Sequence, residues 1–102
     1  MQFTSQIEGE TGTIRLEGRF TFESHPAFKA CTQQILLSQE LRRLVLDMGG
    51  VTYMDASSLG AVLLLREATE ARFMVIALRR PSPTVLKLLR VVQFEKLFEI
   101  QP

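Results

Sequence analysis

Cysteine, histidine and tryptophan are almost missing from this chain: its 102 residues hold one cysteine, Cys31, one histidine, His25, and no tryptophan. A lone cysteine excludes an intramolecular disulfide. One Cys and one His cannot supply a four-ligand structural zinc outside a carboxylate-rich site. A Cys–His nucleophilic pair is a weak proposition, because His25 sits in a turn-like stretch ahead of the segment that holds Cys31. Cys31 reads as a small buried hydrophobe and His25 as a surface turn residue. Long hydrophobic runs are missing too. Runs such as Ala61–Leu65 and Phe73–Leu78 fall far short of the roughly 18 residues of a membrane span. Met1–Gln6 has neither a basic start nor an apolar core, so the sequence predicts no secretory signal, no direct membrane insertion and cytoplasmic residence. Nor is there an excess of one charge: 12 basic and 11 acidic residues leave a net +1. A nucleic-acid partner is therefore not expected.

Catalytic signatures are equally scarce. No Gly-rich phosphate loop with its Lys occurs, and no dinucleotide fingerprint; Gly49-Gly50 reads as a turn. Glu8, Glu10, Glu17 and Glu23 are scattered, and Arg42-Arg43 and Arg79-Arg80 read as solvating pairs at element ends. Nothing here predicts an enzyme, a metal or a cofactor.

What the chain does have is a folding pattern. Its 46% hydrophobic and 23% charged residues are globular proportions, and its length predicts a single domain over residues 1–102. Phe3, Ser5 and Ile7, then Ile14, Leu16 and Gly18, alternate on either side of Gly9-Glu10-Thr11-Gly12, which predicts a β-hairpin. Ser24 and Pro26 suit a helix start, and Phe28, Cys31 and Ile35 continue at helical spacing to about Ser38. Leu44–Met48 reads as a strand buried on both faces, ending at Gly49-Gly50, with Val51–Met54 as an extended connection. A second helix is expected from near Asp55 to about Ala71, enclosed on most sides because Leu59, Ala61, Val62, Leu63, Leu64 and Leu65 cover most of its circumference. Arg72–Leu78 reads as another buried strand. Ser82 caps a third helix that begins at Pro83 and carries Val85, Leu88, Leu89 and Val92. Phe94–Ile100 suits a helical turn and a short edge strand. The order β-β-α-β-α-β-α, with a possible last strand, predicts an α/β domain with a mixed sheet of about four or five strands and about three or four packed helices.

One stretch stands apart: Val51-Thr52-Tyr53-Met54-Asp55-Ala56-Ser57-Ser58-Leu59-Gly60. A strand leads in and an apolar helix leaves. The first amides of that helix lack internal partners, and Asp55, Ser57 or Ser58 can accept from them. The plain reading is a helix cap. The other is a docking and modification point: a phosphate on a serine here would lie near the positive helix end and add about −1.5 to −2 charge.

The stretch Tyr53-Met54-Asp55-Ala56-Ser57-Ser58-Leu59-Gly60 resembles the signature of the STAS domain, shared by sulphate transporters and bacterial anti-sigma factor antagonists. Those antagonists typically read Met-Asp-Ser-Ser/Thr-Gly-Leu-Gly. Gly18-Arg19-Phe20 resembles the family's Gly-x-Leu, Pro81-Ser82-Pro83-Thr84-Val85 with Leu88-Leu89 its Ser-Pro start of the third helix, and Phe94–Ile100 its ending. The resemblance covers nearly the whole chain. It implies a STAS-like fold and a non-enzymatic antagonist that works by partner switching. The unmodified form would bind an anti-sigma factor that is also a GHKL-type serine kinase, the kinase would phosphorylate a serine just after the motif Asp, and a serine phosphatase would reset the system. The implied switch loop is Met54, Asp55, Ala56, Ser57, Ser58 and Gly60, with the exposed side of the following helix. Leu59 and Leu63 are expected to be core.

Two departures matter. Ala56 occupies the usual acceptor position, and Thr21 stands where many antagonists have an Asp. Alanine has no hydroxyl, so three readings stay open. Ser57 or Ser58 takes the phosphate, the protein is a permanently unphosphorylated antagonist, or an original serine has been replaced at position 56. A different class also fits: a STAS regulatory subunit of a phospholipid-transport ABC system, which docks on an ATPase and needs no acceptor serine.

Overall fold

The computed structural model describes residues 1–102. Its first two strands, β1 (Gln2–Glu8) and β2 (Thr11–Phe20), form an antiparallel hairpin closed by Gly9 and Glu10. Gly9 has φ 60°, the positive angle that the first residue of a type II′ turn requires. A 3-10 turn at Phe22–Ser24 leads into α1 (His25–Ile35), followed by β3 (Arg43–Met54), α2 (Ala56–Glu70), β4 (Val75–Arg79), α3 (Pro83–Val91), a second 3-10 turn (Phe94–Lys96) and β5 (Glu99–Gln101).

The sheet order is β1-β2-β3-β4-β5, and every pair after the hairpin is parallel. Each helix therefore connects two neighbouring parallel strands in a sheet that grows in one direction. With the usual right-handed crossover, all three helices fall on the same face. The packing agrees. One apolar cluster joins Ile14, Leu16, Leu46, Met48, Ile76 and Leu78 of the sheet to Phe28, Val62 and Leu89 of the three helices. Each such fully buried side chain contributes about 1.5–3 kcal/mol. The opposite face is polar. Arg15, Asp47, Arg79 and Gln101 form one row across it, and Thr4, Gln6, Glu8 and Thr13 line a shallow hollow there. Leu44–Met48 is buried on both sides as expected, but helices cover only one of them.

The glycine pair does not end β3. The strand runs on through Gly49-Gly50, and its register with β2 slips by one residue between Arg15 and Glu17 and again between Gly18 and Arg19. Each slip inverts the alternation. That is how Leu46, Met48, Val51 and Met54 all reach the same core. A Cβ at Gly50 would lie 2.9 Å from the Leu16 carbonyl oxygen, so the first bulge requires glycine.

Other expectations also shift. The first helix stops at Ile35 instead of about Ser38, and the fourth strand starts at Val75, because Ala71–Phe73 turn the chain and Phe73 takes φ 57°. The second helix is not enclosed. Leu64 is 68% exposed, and Leu63 lies outside the core that Leu59 joins. With helices on one face only, α2 is a surface helix whose outer side faces solvent. Cys31 is half-buried against the core, where burial raises its thiol pKa.

Candidate functional site

The junction of β3 and α2 lies at the carboxyl edge of the sheet, beside the end of β2 and the start of α1. Asp55 is the N-cap of α2 (φ −90°, ψ 168°). Its Oδ1 accepts the Ser58 amide at 2.9 Å, the usual cap bond to the third helical residue. The same oxygen accepts the Ser57 hydroxyl at 2.8 Å. Its Oδ2 accepts the Phe22 amide at 3.0 Å, and the Asp55 amide donates to the Phe20 carbonyl at 3.1 Å. One carboxylate thus closes a helix and ties it to the segment between β2 and α1. Desolvation alone would raise its pKa. The hydroxyl bonds from Ser58 and Ser57 and the amides of Ser58 and Phe22 outweigh that and lower it to about 2. Asp55 is fully ionised at neutral pH.

The two adjacent serines have opposite surroundings. Ser58 is fully buried. Its Oγ lies 2.9 Å from the Phe20 carbonyl, 2.8 Å from Asp55 Oδ1 and 3.1 Å from His25 Nε2. Its single proton goes to one of the two oxygens, so the histidine contact requires a donating Nε2–H. Ser57 is exposed, and so are Ala56 and Gly60. Met54 is buried beneath them. Of the residues singled out from sequence, Ser57 and Ser58 are each bonded to Asp55; Met54 belongs to the core and Ala56 and Gly60 to the surface.

Sequence reasoning missed how the neighbouring residues meet this junction. His25 is no loose turn residue. It is the first residue of α1, half-buried, edge-on to the Phe20 ring at 6.1 Å and bonded to Ser58. Ser24 precedes it without a side-chain cap bond and donates to the Arg19 carbonyl instead. Phe22 is 65% exposed although its amide is held by Asp55, and Tyr53, also exposed, lies under the Arg19 guanidinium at 4.4 Å. An exposed Phe at a helix start was a visible signal. Its pairing with a residue 33 positions away was not.

A groove of about 750 Å³ runs from the junction between α1 and α2, with His25, Lys29 and Leu36 on one wall and Ser57, Ala61 and Leu64 on the other. The exposed Phe22 flanks the same junction. Apolar groups exposed in this way beside polar ones suit contact with another protein. Far from it, Arg80 is more than a solvating residue: it pairs with Asp47 on the open face, and Asp47 Oδ1 accepts the Gly49 amide at 3.0 Å. Desolvation opposes the charge of Asp47, but these bonds lower its pKa.

A one-sided, five-stranded mixed sheet with a capped strand–helix junction defines a class of small α/β domains. The chain belongs to the STAS domain family: the family model described as "Mlab, STAS domain" matches residues 3–100. A STAS-domain containing protein of Pseudomonas aeruginosa is 38% identical over 93 residues, covering 91% of this chain and 90% of its own. The anti-sigma factor antagonist SpoIIAA in its unphosphorylated form superposes with TM-score 0.75 at 24% identity, over 99% of this chain and 87% of that one. The STAS domain of a SulP transporter from Vibrio cholerae gives TM-score 0.75 at 19% identity, over 95% and 77%. These two likenesses establish a shared fold.

Proposed function

We propose that this domain is a protein-binding module of the anti-sigma factor antagonist type. It docks a GHKL-type anti-sigma factor/serine kinase through the Asp55–Gly60 junction and the outer side of α2, and Ser57 accepts the regulatory phosphate. The observation that carries this reading is the contrast between the two hydroxyls. Ser57 is exposed at the second residue of α2, with its proton given to Asp55 at 2.8 Å, whereas the Ser58 hydroxyl is shut inside the fold. A kinase reaches the first without unfolding the junction and not the second.

The chemistry of the switch follows from the same contact. Phosphorylation removes the proton that Ser57 gives to Asp55 and sets a dianion beside an ionised carboxylate. The helix end favours the phosphate by about 0.3–1 kcal/mol, but the neighbouring carboxylate repels it. In a docked complex the phosphate would also have to be desolvated against the partner. Release follows, and a serine phosphatase restores the bonded form. The test is a binding titration with the kinase. Micromolar or tighter binding of the unmodified chain, weakened at least tenfold in the phosphorylated chain, supports it; equal affinity of both forms contradicts it.

A second reading, a regulatory subunit of a phospholipid-transport ABC system, is favoured by Ala56, which leaves the usual acceptor position without a hydroxyl. It also draws on the likeness to a transporter's STAS domain. Co-purification with an ABC ATPase, and no binding to any GHKL-type kinase, would put it first.

A further inference from the structure

We propose that the free edge of β1 pairs with the same edge of a second copy of this chain, joining two sheets into one continuous ten-stranded sheet about a two-fold axis at Ser5. The hairpin register fixes which groups are available. Its two-residue turn makes Glu8 and Thr11 a hydrogen-bonded pair. Alternation then directs the backbone groups of Gln2, Thr4, Gln6 and Glu8 to β2, and those of Phe3, Ser5 and Ile7 outward. No element covers that edge: six of the seven residues of β1 are exposed. It also lacks the features that normally block such an edge. It has no proline, no lysine and no bulge, and its one charge, Glu8, stands at the end of the strand. The other edge differs. β5 is three residues long and is followed by Pro102.

Self-complementarity selects the occupant. An antiparallel pairing centred on Ser5 sets Ser5 against Ser5 and Phe3 against Ile7 in both directions. All three are outward-facing residues, so all three pairs are hydrogen-bonded. Phe3 and Ile7 lie on the helix side, where Phe3 already packs on Phe28 at 6.0 Å and Ile7 is 48% exposed. The pairing covers both. On the polar side Glu8 meets Gln2, Gln6 meets Thr4, and no like charges face each other.

Sedimentation equilibrium of the full chain tests this. The expected result is reversible association to about twice 11.6 kDa, with Kd on the order of tens of micromolar for so small a contact. Ser5→Pro removes an outward N–H without touching a bond to β2, and Ile7→Lys takes away the apolar partner of Phe3 and puts on the edge the charged residue that normally blocks such pairing. Each should raise Kd at least tenfold while the far-UV circular dichroism is unchanged. If Ser5→Pro fails to fold, Ile7→Lys and a crosslink decide. Ser5→Cys in a Cys31→Ala background should form an intermolecular disulfide under mild oxidation, since a hydrogen-bonded pair spaces its Cα atoms at about 5.5 Å. Lys29→Cys in the same background should not. A monomer at about 1 mM overturns the proposal. So does a dimer that ignores both substitutions and gives no Ser5 crosslink; the edge would then be left to a different strand.

Discussion

Two helices of this fold begin in the same way and differ in what hangs on the cap. α2 starts at Asp55 and α3 at Ser82; both follow a parallel strand, and both caps accept the amide of the third helical residue. At α3 that is all. Ser82 takes the Val85 amide at 3.2 Å, and Pro83 supplies a first residue with no N–H to satisfy. At α2 the cap is a carboxylate, and it also holds the exposed Ser57 hydroxyl and the Phe22 amide of a distant segment. A cap that only closes a helix needs a single acceptor. A cap that also holds an exposed serine hydroxyl and the amide of a neighbouring segment uses both oxygens of a carboxylate.

Breaking the two caps separately should expose that difference. Asp55→Ala removes the helix cap and the anchor of Phe22 together, and should lower Tm by about 8–15 °C. Hydrogen exchange of the Phe22 amide should become fast in the same variant. Ser82→Ala removes only a cap. It should cost about 1 kcal/mol, or about 4–8 °C in a thermal melt, and leave the Phe22 amide protected. Equal effects on that amide would erase the distinction. Acid gives a smaller, graded version. The pKa of Asp55 falls from 3.8 to about 2 on folding, so its contribution is fully present above about pH 4 and is lost as pH falls through about 2. Denaturant titrations of wild type and Asp55→Asn should therefore differ by a constant amount above pH 4 and converge toward pH 2. Ser82 has no such titration. The smallest effect belongs to Ser57→Ala: an exposed hydroxyl leaves, the cap bond to Ser58 stays, and stability should change by less than about 0.5 kcal/mol.

The sequence was most legible where local rules decide. The Gly-closed hairpin, the cap at Ser82 with Pro83, and the cap at Asp55 could be read from spacing because turns and caps are local chemistry. The resemblance carried by Tyr53–Gly60 led to the fold as a whole. What stayed hidden depended on distance. Which serine is buried is set by Phe20 and His25, each more than 30 positions from Ser58. Gly49-Gly50 looks like a turn because bulge glycines and turn glycines share the same freedom, and only the β2 register separates them. The leucines of α2 suggested an enclosed helix because composition cannot show that the helices occupy one face. Asp47 drew no attention among the carboxylates, since its arginine partner arrives from the end of the next parallel strand.

The measurement that bears most directly on the central claim is site mapping by mass spectrometry after incubation with the cognate GHKL-type kinase and ATP. One phosphate on Ser57, with Ser58 unmodified and Ser57→Ala inert, is the outcome that an exposed hydroxyl beside a buried one predicts. A phosphate on Ser58 with Ser57 untouched, or a kinase that binds the chain tightly and never modifies it, would contradict Ser57 as the switch.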